Sequence, residues 1–179
     1  MSEQHKRKKQ PEINRQLILD AAADIGAKTH WHAVTFQAIA DSIGLSKGGI
    51  IHHFRNKDEL LEELMRQSLS ELTEWINHEM QLTGSDNASL AYLKFVINKG
   101  SDEKYQRTSK VIMQAIVAGQ FHVMWDDWFQ KNIVARTGPN PDESTLIIQL
   151  VADALWYADG IGFSRLNTQD KQRLLEKLK

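Results

Sequence analysis

Small, cationic and imidazole side chains lie close together between residues 46 and 57. The stretch reads Ser46-Lys-Gly-Gly-Ile-Ile-His-His-Phe-Arg-Asn-Lys57, and Asp41 is the only acidic residue between Thr29 and Lys57. Lysine and histidine side chains donate hydrogen bonds to phosphate oxygens and base edges. Two adjacent glycines, each costing a helix about 1 kcal/mol relative to alanine, let a backbone approach another surface closely. The pattern indicates a surface that could contact nucleic acid.

Two short helices joined by a glycine turn are expected to position this stretch. Thr35 can cap a helix that ends before Gly44, and Ser46 can cap a second helix that begins at Lys47. A helix-turn-helix places its second helix in the major groove of DNA. Taken alone, the pattern also fits a solvated helical corner without a ligand.

Apolar residues recur at spacings of three and four through most of the chain, and proline occurs only at positions 11, 139 and 141. This periodicity predicts an all-α fold of about nine helices. A first helix is expected at about 12–28, with Gly26 near its end. The two short helices follow, and then helices at about 57–81, 87–99, 103–119, 121–136, 143–163 and 168–178.

The chain is nearly neutral as a whole, with 22 Lys plus Arg and 23 Asp plus Glu. Residues 1–57 carry nine basic and five acidic residues, whereas residues 58–179 carry 13 and 18. The absence of cysteine excludes disulfides, thiolate zinc sites and cysteine nucleophiles. No apolar run approaches the roughly 18 residues of a membrane helix. We therefore expect a cytoplasmic protein that does not enter membranes.

The 27 residues from Thr35 to Leu61 resemble, without a gap, the signature of the tetracycline-repressor (TetR) family of bacterial transcription regulators. The preceding helix and Trp31 are also similar to that family, so the resemblance covers about residues 12–65. It implies a three-helix DNA-binding domain with the helix-turn-helix at residues 1–57, and a larger helical effector-binding and dimerisation domain at residues 58–179. The residues that match DNA-contacting positions of the family are Thr35, Ser46, Lys47, Gly48, Gly49, His52, His53 and Lys57.

Ile51 departs from the family pattern, because many members have a phosphate-contacting tyrosine at this position. A compensating contact must then come from His52, Lys57 or the basic stretch Lys6-Arg-Lys-Lys9. That stretch is either a disordered arm or an arm that lies along DNA. The resemblance further implies a homodimer, double-stranded operator DNA and a small-molecule effector as partners, with repression as the usual outcome.

An aromatic and methionine-rich set of residues in the second half suits an apolar or planar effector. The predicted pocket residues are Phe95, Met113, Ile116, Phe121, Met124, Trp125, Trp128, Phe129, Asp153, Trp156 and Tyr157. For each aromatic residue, packing in the core is the alternative interpretation. Asp153 and Asp159 need partners if buried, and these could be a cationic ligand, Arg165, a base of a second subunit or water. The helices at 143–163 and 168–178 are the expected dimer elements.

Enzyme motifs are scarce in the sequence. It contains no G-x-S-x-G, no phosphate-binding glycine loop and no H-E-x-x-H, so we expect neither an enzyme nor a cofactor. His30 and His32, or Asp126 and Asp127 near His122, could ligate a metal, but loop histidines and surface acids are the simpler interpretation. The alternative function is an all-helical protein-interaction module without sequence-specific DNA binding.

Overall fold

The computed structural model describes residues 3–100 and 102–178, with side chains from residue 11 onward. All regular secondary structure in these ranges is helical, which confirms the predicted all-α fold. Nine α-helices follow one another there: α1 (Glu3–Lys28), α2 (Phe36–Ile43), α3 (Lys47–His53), α4 (Lys57–Thr83), α5 (Ala88–Lys99), α6 (Glu103–Val117), α7 (His122–Phe129, continued by the π-helical segment Gln130–Val134 and by Ala135–Thr137), α8 (Glu143–Gly160) and α9 (Thr168–Leu178). A single 3₁₀ turn, Trp31–Ala33, joins α1 to α2.

Short polar side chains start most of these helices. Each accepts a hydrogen bond from the backbone N–H three residues further on, and so satisfies one of the free donors of the first turn. These capping residues are Thr35, Ser46, Asn56, Asn87, Asp102 and Asp142. Gly44 ends α2 with φ of 70°, a left-handed conformation that a residue without Cβ adopts most easily. The capping residues and the glycine that specify the helix-turn-helix therefore act within a few positions of themselves in the sequence.

The start of α1 and the end of α8 differ from the predicted ones. Helix α1 begins at Glu3 and passes through Pro11, so the backbone of residues 6–9 is helical, while their side chains lie outside the described part. The helix ends at Lys28, as predicted, and Gly26 lies within its last turn. A Cβ at position 26 would stand 2.5 Å from Cγ2 of Val111, so the glycine permits close packing on α6. Helix α8 ends at Gly160, short of the predicted residue 163.

The buried side chains form two cores. The amino-terminal core contains side chains of α1–α3 and of Phe54, which follows α3: Ile18, Leu19, Ile39, Ile50 and Phe54. Residues of two later helices complete it, namely Leu60, Leu61 and Leu64 of α4 and Val111 and Ala115 of α6. The second core lies among α4–α9 and includes Ile112, Met113 and Ile116 of α6. Helix α6 thus contributes one face to each core. None of the described helices has the length and hydrophobicity that crossing a bilayer requires.

The turn between α6 and α7 brings Phe121 against both cores. Among the described non-glycine residues, only Phe121 has a positive φ, 60°. Further along α7, the π-helical segment places Trp128 and Ile133, five residues apart, in the same core. The Asn132 side chain donates a hydrogen bond to the Trp128 carbonyl at 2.9 Å, which satisfies an acceptor beside the irregular turn.

Candidate nucleic-acid interface

Helix α3 is anchored on one side and exposed on the other. Ile50 and Phe54 are fully buried and fix the helix on the amino-terminal core. The opposite side exposes Lys47, Gly48 and His52, which were predicted to contact DNA. Ile51 is also exposed, so the position where the family often has tyrosine faces solvent. Three of the five predicted contacts on α3 are therefore exposed, whereas Gly49 and His53 are half-buried.

The two predicted contacts that precede the helices act as caps in this structure. The Thr35 hydroxyl accepts from the Ala38 N–H at 3.1 Å, and the Ser46 hydroxyl accepts from the Gly49 N–H at 3.0 Å. Both residues are exposed. A hydroxyl that accepts one hydrogen bond still has its own proton to donate, so capping and a phosphate contact are compatible.

Nothing within the protein requires glycine at position 48. The nearest atom to a Cβ built there is the Ser46 Oγ, 3.9 Å away, and at position 49 the same oxygen would lie at 3.4 Å, an ordinary contact. Neither glycine has a positive φ. Within the described part of the chain, neither close packing nor a positive φ thus requires these two glycines, although each weakens the helix.

Lys57 is engaged within the protein. Its ammonium group donates hydrogen bonds to the carbonyls of Trp31 at 2.7 Å and His32 at 3.2 Å, and it lies 4.6 Å from the centroid of the Trp31 ring. Burial lowers the pKa of Lys57. These bonds use two of the three N–H donors of the ammonium group, so Lys57 holds the 3₁₀ turn against α4 and keeps one donor for a further contact.

Arg15 fastens the far end of α3, a role that the sequence analysis missed. Its guanidinium donates to the His53 carbonyl at 3.0 Å, lies 4.2 Å from the Phe54 ring centroid and pairs with Glu63 at 3.2 Å. Burial lowers the pKa of His53, and the neighbouring His52 and Arg15 charges lower it further. His53 is half-buried and sits at this junction, whereas His52 is exposed.

Side chains of α6 bind the backbone that precedes α2. Lys110 donates to the Ala27 carbonyl at 2.7 Å, and the Gln114 side-chain oxygen accepts from the Trp31 N–H at 2.8 Å. Together with the packing of Gly26 on Val111, these bonds connect the end of α1 and the 3₁₀ turn, which precede the helix-turn-helix, to α6. The residues lie more than 80 positions apart in the sequence, so no local pattern could identify them.

The predicted pocket residues are distributed between the core and its rim. Phe95, Met113, Ile116, Trp128 and Trp156 are buried in the second core. Phe121, Met124, Trp125, Phe129 and Asp153 are half-buried, and Tyr157 is exposed. Phe95 and Trp156 line a cavity of about 20 Å³, enough for one water molecule. Met124 and Trp128 border an open groove of about 430 Å³ between α4 and α7.

The two aspartates of α8 have different partners. Asp159 pairs with the buried Lys171 of α9 at 2.6 and 2.7 Å, a pairing that the sequence analysis did not propose. Asp153 accepts a hydrogen bond from the Tyr92 hydroxyl at 3.1 Å. Burial raises the pKa of Asp153, although the bond from Tyr92 lowers it.

The histidines of the 3₁₀ turn do not form a metal site in the described part of the chain. His30 and His32 stack at a centroid distance of 5.0 Å, and the His30 ring nitrogen accepts from the His32 N–H. No group of three or more potential ligands comes together within the described ranges.

Helix α8 also carries an exposed apolar stripe. Ile147 and Leu150 are exposed by 50% and 70%, Ala154 and Tyr157 follow them, and Ile161, directly after the helix, is 55% exposed. Single exposed apolar residues are common, but a stripe along one helix is typical of an interaction surface.

Comparison with known proteins identifies both halves. Residues 18–64 match the family described as bacterial regulatory proteins, tetR family, and residues 86–179 match a tetracyclin repressor-like C-terminal domain. The HTH-type transcriptional regulator BetI of Vibrio atlanticus is 32% identical over 101 residues, which are 56% of this chain and 50% of BetI. The HTH-type transcriptional repressor KstR2 of Mycolicibacterium smegmatis is 38% identical over 60 residues, 34% of this chain and 29% of KstR2. The chain thus matches half or less of the length of these two relatives.

Solved structures share the fold over almost the whole chain. NalD, the secondary repressor of the MexAB-OprM multidrug efflux pump in Pseudomonas aeruginosa, gives a TM-score of 0.68 at 19% identity and covers 93% of this chain and 94% of its own. The ketosteroid transcriptional regulator KstR2 of Mycobacterium tuberculosis gives 0.62 at 19% identity, with 92% of each chain covered. The C-terminal family match alone spans more than half of the sequence. The chain belongs to the TetR family of bacterial regulatory proteins, as its sequence resemblance indicated.

Proposed function

We propose that this protein is a homodimeric transcriptional repressor that binds operator DNA through α3 and is released by a small apolar or aromatic effector. The observation that carries the proposal is the exposed edge of α3, where Lys47 and His52 flank glycines that the free protein does not need. A DNA backbone that approaches α3 closely would explain why these two positions are glycine. NalD and the KstR2 of Mycolicibacterium smegmatis are both described as repressors, which supports repression.

In this proposal the contacts divide into two kinds. Lys47, His52 and the backbone at Gly48 and Gly49 meet DNA directly, with Thr35 and Ser46 at the helix starts. Lys57, whose ammonium group also holds the 3₁₀ turn against α4, and the half-buried His53 are proposed to add contacts at the border of this surface. The basic side chains of residues 6–9 are proposed to contact phosphates, which compensates for the missing donor at Ile51.

Residues 58–179 are proposed to bind the effector and to form the dimer. The apolar stripe of α8 supports self-association, because a second copy can cover it with the same stripe around a two-fold axis. Two reading helices must then lie about 34–36 Å apart to enter successive major grooves. An effector that favours a wider spacing by about 3 kcal/mol would weaken DNA binding on the order of a hundredfold. As a regulator of bacterial genes, the dimer is proposed to work in the cytoplasm.

A duplex-binding titration tests the proposal. Fluorescence anisotropy would compare the promoter region of the protein's own gene with a scrambled duplex, at about 50 and 200 mM salt. Lys47→Ala should weaken binding and reduce the salt slope by about one. Lys177→Ala, which removes a cation from α9, is the matched control and should change neither quantity.

Gly48→Ala separates DNA contact from folding. The added methyl has room in the free protein, so the helix should gain up to about 1 kcal/mol of stability. The same methyl faces the proposed DNA surface, so binding should weaken. If Gly48→Ala and Lys47→Ala bind the promoter duplex as wild type does, or if the wild type does not distinguish the two duplexes, the interaction-module alternative is favoured instead.

A further inference from the structure

An exposed isoleucine lies on the helix that is proposed to enter the major groove. Ile51 is 48% exposed. Among residues 35–54, all of which the structure describes, it is the only large apolar side chain that is exposed. Phe36, Ile43 and Leu45 pack against the amino-terminal core, and the remaining large apolar residues lie inside that core. The helix-turn-helix thus presents an apolar group to solvent at one position only.

The helical period places Ile51 among the predicted DNA contacts. It follows Lys47 by four residues and Gly48 by three, so the three positions adjoin on the surface of α3, and the exposed His52 comes next. Helical side chains lean toward the N-terminal end of their helix, so Ile51 lies over the turn that contains Gly48. Because Gly48 has no side chain, it leaves the approach to Ile51 open. An apolar group therefore lies inside a cationic surface.

The chemistry of duplex DNA limits what this side chain can contact favourably. An isoleucine that displaced water from a phosphate oxygen would leave that acceptor without a donor, which costs free energy. In the major groove the base edges present hydrogen-bonding groups, and thymine alone adds a methyl group at C5. An isoleucine in this groove can thus bury apolar surface against one kind of base without leaving a polar group unpaired.

We propose that Ile51 is a specificity-determining residue that packs against the C5-methyl group of one thymine in each half-site of the operator. This proposal rests on the repressor function proposed above and adds a base to it. Burial of one methyl group corresponds to about a fourfold gain in affinity. A two-fold symmetric dimer makes the contact twice, so the two methyl groups together are worth on the order of tenfold.

Replacing thymine by 2′-deoxyuridine tests the contact, because it removes the methyl group and keeps every hydrogen-bonding group of the base pair. The duplex is the promoter region of the protein's own gene, in which footprinting locates the protected segment. Symmetric pairs of thymines in that segment are replaced one pair at a time, and fluorescence anisotropy measures the affinity. For one pair, the replacement should weaken binding by wild type on the order of tenfold.

Ile51→Ala should lose this preference. It should bind the thymine duplex about as weakly as wild type binds the deoxyuridine duplex, and it should not distinguish the two. The variant removes no charge, so its salt slope should equal that of wild type, whereas Lys47→Ala reduces the slope by about one. The position is exposed and alanine favours helices, so Ile51→Ala should fold as wild type does, which its melting temperature checks.

Two variants control the comparison. Ile51→Val keeps a branched apolar side chain and should retain part of the preference for thymine. Val123→Ala removes an apolar side chain that is 74% exposed on α7, outside the helix-turn-helix, and should change neither the affinity nor the preference.

Three results would overturn the proposal. If no pair of thymines is sensitive to the replacement, no methyl group is read, and a loss of affinity in Ile51→Ala then comes from a contact with deoxyribose. If the deoxyuridine effect is equally large in wild type and Ile51→Ala, another side chain or the deformability of the duplex is responsible. The third such result is an Ile51→Ala variant that binds as wild type does.

The two proposals fail differently. Selective binding of the promoter duplex without a thymine preference that depends on Ile51 refutes this contact alone. A wild type that binds the promoter and the scrambled duplex equally refutes the proposed repressor function and the contact with it.

Discussion

The contact between Gly26 and Val111 predicts a strong and specific response to one added methyl group. In Gly26→Ala, the new Cβ would stand 2.5 and 3.2 Å from the two methyl carbons of Val111 and 3.1 Å from Cγ2 of Val34. Val111 is fully buried, and a valine in a helix strongly prefers one rotamer, so it cannot easily turn away.

The magnitude follows from two opposing effects. Overpacking by one methyl costs about 1–3 kcal/mol, and an approach of 2.5 Å places Gly26→Ala in the upper part of that range, at about 2–3 kcal/mol. Replacing glycine by alanine in a helix returns about 1 kcal/mol. We therefore expect Gly26→Ala to lower the free energy of unfolding by about 1–2 kcal/mol, which corresponds to roughly 3–6 °C in melting temperature. Gly48→Ala makes the same chemical change in open space and should stabilise instead.

A double-mutant cycle checks the cause. Val111→Ala alone should destabilise by leaving a cavity, and in the double variant the methyl group added at position 26 should partly fill it. Urea unfolding at one protein concentration would then show a coupling energy of about 1–3 kcal/mol between the two positions. Additive effects, or a Gly26→Ala variant as stable as wild type, would refute the steric argument.

Three further predictions concern ionisable side chains. Lys57→Met should lower the free energy of unfolding by about 1–2 kcal/mol in urea titrations, because two carbonyls lose their donor; an unchanged midpoint contradicts this. Lys171→Met should lower the free energy of unfolding by about 3 kcal/mol in urea titrations, because the Asp159 side chain, only 22% exposed, is left without its cation. Adding Asp159→Asn should restore part of this free energy. The raised pKa of Asp153 makes wild type lose stability as pH rises from the ordinary aspartate pKa, about 4, through the raised one, so Asp153→Asn should gain on wild type over that interval; melting curves with a constant difference argue against it.

The helix-turn-helix was predictable because its signals are local. Thr35, Ser46 and Gly44 each act within four residues, and the structure places them as caps and as the left-handed turn. The packing role of Gly26 was not predicted, for the opposite reason. Its need for a small side chain comes from Val111, 85 positions away, and a single sequence contains no trace of that contact.

The second half was harder to predict in detail. Regular spacing cannot identify Trp128 and Ile133 as neighbours, because five residues place side chains on the same face only in a π-helical turn. The partner of Asp159 was missed because Lys171 lies on another helix, beyond an irregular segment. The aromatic set was identified by composition, but which of its rings contact one another depends on how α5, α7 and α8 pack.

The division of α6 between two cores limits how such a protein can be recombined. Residues 1–57 do not enclose their own hydrophobic interior, which is completed by Leu60, Leu61 and Leu64 and by Val111 and Ala115. A chimera that joins these residues to the sensor half of another regulator would expose that interior unless the matching faces of α4 and α6 travel with them. To exchange DNA specificity between regulators of this architecture, it is therefore better to replace the exposed residues of α3 than to transplant residues 1–57 as a whole.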